Sequence, residues 1–307
     1  MNIACLFFQL TPFDENGVDA FRFTKLTECA INSFKKFHPD IPLYYINDSN
    51  FQEYYSNWKH YDLYDSIGLI KYITGYELMI EHKIDKLILL GSDTITCGRL
   101  EEFINDNTDV LATLNYPLPD KTEFWETPYF EITLPNGEKT YDCTNLNADV
   151  ICFNNPNALK KVIDLTINHF GYFHEQGGLN HLAWSDKSFN VHIVDGPYPL
   201  SNVVYNVRSK GVMGTEMIQN GKLVKYGPPL EGTPSPTLSF YVKDNKLFTQ
   251  DNKQIKIFHY CEGLGCQNEQ VFIDKVNNFH TWFNQETKDF FTNECNCGDF
   301  FQKSFKI

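Results

Sequence analysis

Strand-length apolar runs alternate with helical stripes through the first two hundred residues, and this alternation limits the chain to few architectures. Ile3 to Leu10, Ile41 to Ile46, Leu87 to Leu90, Val110 to Leu114 and Ala148 to Phe153 are the runs. Between them, Leu26, Cys29, Ala30, Ser33, Phe34 and Phe37 recur at the spacing of one helical face. Leu69, Tyr72, Ile73, Tyr76 and Ile80 form a second stripe, and Leu159, Val162, Ile163, Ile167 and Phe170 a third, opened by Asn155-Pro156-Asn157. Such alternation predicts βαβ units, hence an α/β fold whose mostly parallel sheet carries helices on its faces.

In sheets of this kind ligands bind beyond the carboxyl ends of the strands. That singles out Thr11 after the first run, Asp48 after the second and Gly91-Ser92-Asp93 after the third. Residues 115 to 145 interrupt the pattern with Pro117, Pro119, Pro128, Pro135 and Asn136-Gly137, read as a loop with a hairpin. From about residue 206 the chain turns to Gly, Pro and short alternations such as Leu238 to Val242 and Ile255 to Phe258, which predict hairpins packed on the sheet.

Charge narrows the function classes. The formal net charge is −13 with no block of Lys and Arg, which argues against phosphate-neutralising nucleic-acid binding. An anionic nucleotide bound by such a chain needs local compensation, for which a divalent cation is suited. No apolar run reaches the roughly 18 to 20 residues of a membrane span, and Ile3 to Phe8 lacks the basic flank of a signal peptide. Nine cysteines, an odd number, several within apolar stretches, read as reduced thiols in a cytoplasmic protein. The aromatic fraction, 15%, suits a carbohydrate-handling surface and a thick core equally.

The segment Leu87-Ile88-Leu89-Leu90-Gly91-Ser92-Asp93-Thr94 ends a buried run in small residues and one carboxylate. A carboxylate there is costly unless a cation or donors meet it, so Asp93 is a candidate ligand for Mn²⁺ or Mg²⁺. Capping of the following turn is the alternative.

This segment resembles the DxD motif of GT-A glycosyltransferases, especially family 8, the glycogenin-like and bacterial galactosyltransferase-like group, whose pattern is approximately L-D-A-D-T. Asp93 stands at the second Asp and Gly91 replaces the first. Asn147-Ala148-Asp149-Val150 resembles the family's N-A-G-V strand, with Asp149 at the usual Gly. Glu175-Gln176 within His174 to Asn180 resembles D-Q-D-x-L-N, with Glu175 in place of Asp. Ile257-Phe258-His259-Tyr260 with Gly263 resembles the late H-x-x-G motif, one residue longer and without the basic continuation. Lys71 falls where the family has an Arg.

The resemblance implies a GT-A, Rossmann-like core over residues 1–205 and an extension over 206–307 with hairpins and a helix, packed on the core. Residues 255–265 return to the active site. It implies a UDP-sugar donor, a Mn²⁺ or Mg²⁺ ion on Asp93 and His259, and donor contacts from Thr11, Asp48, Lys71, Ser92, Asn147 and Asp149. By the resemblance Gln176 lies beneath the anomeric carbon and Glu175 holds sugar hydroxyls, both as catalytic candidates, with retention of configuration; Glu175 or Asp149 acting as a base would instead give inversion. The acceptor is a glycan, a protein or a lipid-linked molecule, and a homodimer stays open. Each residue also has a plainer reading. His259 suits a core histidine, Glu175 a helix N-terminal carboxylate, Gln176 and Asn147 partners for buried backbone, and Lys71 a solvated face. Gly91 keeps open a domain that binds nucleotide sugar without turnover, and a nucleotidyltransferase would need a Gly-rich basic loop that Gln9 to Phe13 does not provide. Cys261, Cys266, Cys295 and Cys297 offer four thiolates to Zn²⁺ at spacings unlike common zinc knuckles.

Overall fold

The computed structural model describes residues 1–9, 21–55, 67–114, 130–133, 139–142, 146–170, 175–194, 204–207, 216–219, 222–225, 240–249, 252–260 and 283–302. Its strands are β1 Ile3–Gln9, β2 Leu43–Asn47, β3 Lys86–Gly91, β4 Thr94–Thr96, β5 Val110–Leu114, β6 Phe130–Thr133, β7 Lys139–Asp142, β8 Leu146–Phe153 and β9 Val191–Ile193. The shorter strands that follow are β10 Val204–Val207, β11 Glu216–Gln219, β12 Lys222–Lys225, β13 Phe240–Lys243, β14 Lys246–Thr249, β15 Gln254–Ile255 and β16 Ile257–Tyr260. The helices are α1 Phe21–Phe37, α2 Phe51–Tyr55, α3 Ile67–Glu81, α4 Glu101–Asn105, α5 Pro156–Leu165, α6 Glu175–His181 and α7 Gln285–Asp289. The chain divides into two compact units, each built from separate stretches of sequence.

The first unit comprises Met1–Phe13, Ile41–Gly91 and Glu101–Pro199. Its six-stranded sheet runs β2-β1-β3-β8-β5-β9. β1 lies parallel to β2 and β3, β5 lies parallel to β9, and β8 alone runs against its neighbours. This is the mostly parallel α/β sheet that the alternation predicts, consistent with a GT-A core. β1 and β3 are buried along nearly their whole length, as continuous apolar runs require in a sheet covered on both faces. Leu6, Phe8, Leu87, Leu89, Ile151 and Phe153 share one core with Leu69, Tyr72 and Ile73 of α3 and Leu159, Val162 and Ile163 of α5. Asn155 caps α5 by accepting from the Asn157 amide at 3.0 Å, and Pro156 occupies the first turn, where its missing N–H costs nothing. Beyond α5 the chain continues as a π-helical turn, Thr166–Phe170. β6 pairs antiparallel with β7, where the sequence predicts a hairpin.

Two details depart from expectation. Ile80, the last residue of the α3 stripe, is exposed, whereas Lys71 is buried, so the solvated-face reading of Lys71 fails. Most of the first half of α3 is buried, and position on an apolar stripe no longer sorts inside from outside there.

The second unit comprises Asp14–Asp40, Ser92–Leu100 and Leu200–Ile307. β16 pairs parallel with β10 and antiparallel with β4, so Ile257 and Phe258 join distant strands, whereas Ile255 of β15 pairs antiparallel with Leu247 of β14. β11 pairs antiparallel with β12 and β13 with β14, and the turn residues of the latter pair, Asp244 and Asn245, both take positive φ, as a two-residue turn of matching twist demands. Ser33 of α1 accepts from the Thr96 amide at 3.0 Å and ties helix to strand. The core is largely aromatic: Phe258 meets Phe291 edge-on at 5.2 Å, and Phe291 stacks on Phe301 at 4.4 Å. Much of the high aromatic content therefore serves packing.

Candidate functional site

In the second unit, strand pairing brings together two residues far apart in sequence. Ser92 and Asp93 form the two-residue turn between β3 and β4. Antiparallel pairing of β4 with β16 sets Thr94 opposite His259. Asp93 Oδ1 thereby lies 3.3 Å from His259 Nε2, with side chains 14% and 3% exposed. Two cis ligands on one ion, each about 2.1 Å from it, stand about 3 Å apart. The spacing and the oxygen–nitrogen donor pair thus fit two positions of a Mn²⁺- or Mg²⁺-like ion. Among the described residues no group of three or more His, Cys, Asp or Glu is arranged to hold a metal. Gly91, the last residue of β3, has no side chain to offer as a ligand.

In the first unit the focus is an irregularity in β8. Ala112 pairs with Ile151 and Leu114 with Leu146, so the single residue Thr113 of β5 faces residues 147 to 150 of β8. Side chains satisfy the backbone this distortion diverts. Asn147 Oδ1 accepts from the amides of Asp149 at 2.7 Å and Val150 at 3.1 Å. Gln176 Oε1 accepts from Ala148 N at 3.3 Å, and Asn180 Oδ1 from Leu146 N at 3.1 Å. Asn180 Nδ2 donates to the Gln176 carbonyl at 2.8 Å, and Thr113 Oγ1 to the Val150 carbonyl at 2.8 Å. Asp149 is the one residue of β8 that is not buried. Bulges turn a chosen side chain out of a sheet in this way, often beside active sites.

Asp149 Oδ1 accepts from Lys71 Nζ, whose side chain is only 7% exposed. Next along α3, the Tyr72 hydroxyl donates to the Ala148 carbonyl at 3.2 Å. Burial pushes the Tyr72 phenol well above its usual range, and the charges of Glu175 and Asp149 push it further. Glu175 opens α6 with its carboxyl group packed against Gly68 of α3. Lys71, Tyr72, Asn147, Asp149, Glu175 and Gln176 therefore form one polar cluster in the first unit.

No protein-family model matches the chain, and no curated protein matches it in sequence. Solved structures similar to it include glycosyltransferases. One is the glycosyltransferase GlyE of Streptococcus pneumoniae TIGR4, at 17% identity over 62% of this chain and 45% of that chain, with a TM-score of 0.35. Another is the galactosyltransferase LgtC in complex with donor and acceptor sugar analogues, at 13% identity over 89% of this chain and 94% of that chain, with a TM-score of 0.40. A nucleoside-diphosphate-sugar pyrophosphorylase from Vibrio cholerae RC9 is similar at 13% identity over 61% of this chain and 90% of that chain, with a TM-score of 0.36. The chain spans less than half the length of GlyE.

Of the remaining candidates, Thr11 lies outside the described residues. Asp48 sits exposed in the turn after β2, where Asn47 Oδ1 accepts from the Ser49 amide and Asn50 Oδ1 from the Asn47 amide. Ser92 is partly buried beside Asp93 in the chain. Cys261 and Cys266 lie outside the described residues. Cys295 and Cys297 are buried thiols held far above the usual range, first by burial and then by hydrogen bonds to Cys97 and Cys29 respectively. Sequence reading gave no site role to Tyr72, Gly68 or Asn180, although Asn180 ends the segment that resembles D-Q-D-x-L-N. Tyr72 carried the signal of a core stripe residue, which it also is, and Gly68 carried none.

Proposed function

We propose that this chain is a glycosyltransferase that takes a sugar from a nucleoside-diphosphate donor, a UDP-sugar, with a divalent cation. The observation that carries the reading is the Asp93–His259 pair: strand register brings a carboxylate and an imidazole to the separation of two cis metal ligands. These two residues would hold Mn²⁺ or Mg²⁺, which when bound stabilises the charge that develops on a departing diphosphate. In the first unit Asp149 and Glu175 supply carboxylate acceptors suited to sugar hydroxyls. Gln176 and Asn147 brace the backbone beside them. Lys71 neutralises Asp149 rather than standing alone as a cation. The family resemblance favours retention, with a glycan, protein or lipid-linked acceptor.

A second reading has its own support. Gly91 offers no carboxylate at the end of β3, which favours a domain that binds nucleotide sugar without turning it over. Thermal shift with nucleoside diphosphates and nucleotide sugars, with and without Mn²⁺, tests both, since a ligand of the native state raises its stability by mass action. Metal-dependent stabilisation by one nucleotide sugar, accompanied by slow donor hydrolysis, is the expected result. Stabilisation without hydrolysis would favour the binding domain, and no response to any nucleotide would sink both.

A further inference from the structure

The carboxyl group of Glu175 occupies the space that a side chain at position 68 would need. A methyl group built on Gly68 falls on Glu175 Cδ and both carboxyl oxygens, well inside van der Waals contact. Gly68 lies in the first turn of α3, where aligned backbone dipoles favour a negative charge. A second glycine fixes the other end of the arrangement. A methyl on Gly178 of α6 would lie 2.8 Å from the Val162 carbonyl and 3.0 Å from the Thr166 amide. The helix carrying Glu175 is thus pressed on the chain behind it, and its carboxylate rests on α3 in front.

We infer that Gly68 is a positioning residue for Glu175. The missing side chain lets a glutamate, one methylene longer than an aspartate, lay its carboxylate on the first turn of α3, in the same cluster as Tyr72 and Asp149. A glutamate side chain free in solution samples many rotamers, and one wedged against a neighbouring helix presents its oxygens in a single orientation. This inference rests on the reading of Glu175 as a sugar-facing carboxylate.

The test uses Gly68→Ala, Glu175→Ala and the double variant in the full chain. Alanine is the better helix former, so Gly68→Ala by itself favours stability. The methyl meets the far end of a flexible side chain, which swings out of its seat at little cost to stability. With Glu175 present, Gly68→Ala shifts the Tm less favourably than in the Glu175→Ala background and reduces kcat for UDP-sugar hydrolysis about tenfold or more, with a smaller change in KM. In the Glu175→Ala background the same substitution raises or preserves the Tm and leaves the residual kcat unchanged. Combining Gly68→Ala with Glu175→Asp, whose shorter side chain clears the methyl, recovers part of the lost kcat. An equal loss of kcat in both backgrounds would make Gly68 a general packing residue, and an equal shift in Tm in both would remove the contact; either overturns the inference. If the wild-type chain hydrolyses no nucleotide sugar, the proposed function falls, and the Tm comparison still decides whether Gly68 seats Glu175.

Discussion

Lys71 and Asp149 form an asymmetric ion pair: the ammonium is buried, at 7% side-chain exposure, while the carboxylate is 39% exposed. The two halves therefore respond differently to loss of the partner. Removing Lys71 leaves a carboxylate that water can reach, whereas removing Asp149 takes a carboxylate from an ammonium that is largely out of water. Asp149→Ala is expected to cost about 2 kcal/mol and Lys71→Met about 1 kcal/mol, the latter discounted for solvent screening. The pair Lys71→Met with Asp149→Ala should be more stable than Asp149→Ala alone. Urea denaturation of the three variants measures this; equal costs for both single variants would mean that other contacts of the ammonium make good the loss of the carboxylate.

The Asp93–His259 pair makes a prediction about ligand binding rather than stability. Asp93→Ala and His259→Ala are each expected to abolish the part of nucleotide stabilisation that depends on Mn²⁺. At saturating nucleotide that part amounts to about 2 to 3 kcal/mol, as for any ligand near a hundredfold its dissociation constant. The check is a thermal-shift titration of Mn²⁺ at fixed UDP. Retention of full metal dependence in Asp93→Ala would remove Asp93 from the site.

Asn147 illustrates a residue whose sequence signal concerned a sugar and whose structural partners are backbone amides. Its Oδ1 serves the amides of Asp149 and Val150, which the irregular pairing of β8 with β5 diverts. Asn147→Ala leaves both without that acceptor, at an expected cost of about 1 to 3 kcal/mol. Asn147→Asp keeps an acceptor oxygen but puts a charge at a position only 2% exposed, next to Asp149, so it restores only part of the lost stability. If the aspartate variant folds but loses donor turnover, the reaction needs the Nδ2 group or the neutrality of the side chain at this position. Denaturation and hydrolysis assays on the two variants separate the roles.

These cases show how far the sequence could be read. β5 runs over the residues that the apolar pattern marks, Val110–Leu114, because a strand buried in a sheet leaves a nearly continuous apolar run, broken here only by Thr113. The α1 stripe likewise ends at Phe37. β4 left no such mark, because Thr94-Ile95-Thr96 is too short to carry a period, and its partners β16 and α1 are distant in sequence. Lys86 escaped as well. It opens β3 at 2% exposure and donates to the carbonyls of Phe103, Ile104 and Asp106, where α4 ends. A lone lysine before an apolar run reads as a solvated flank, and only the position of α4 makes it a buried cap. The carboxylates, imidazole and amides of the candidate site were visible as residue types in order. Which of them touch was not, since contact depends on register, and local periodicity does not encode register between distant strands.

Asp186 supplies a dependence on acidity. Its carboxylate accepts from the Ser188 amide at 3.0 Å and meets Lys161 Nζ at 3.0 Å. The hydrogen bond from Ser188, and then the contact with Lys161, lower its pKa from 3.8 to about 2. A carboxylate with a depressed folded-state pKa stabilises the native state above the unfolded-state value. That contribution is lost as pH falls through the folded-state value. The contribution is therefore whole above pH 3.8 and disappears through about pH 2. Asp186→Asn removes the titration while preserving most of the shape. The difference in Tm between wild type and Asp186→Asn should be constant at mildly acidic and neutral pH and shrink toward zero across that window. A difference that persists unchanged at the lowest pH would assign the effect to packing of the side chain instead of its charge.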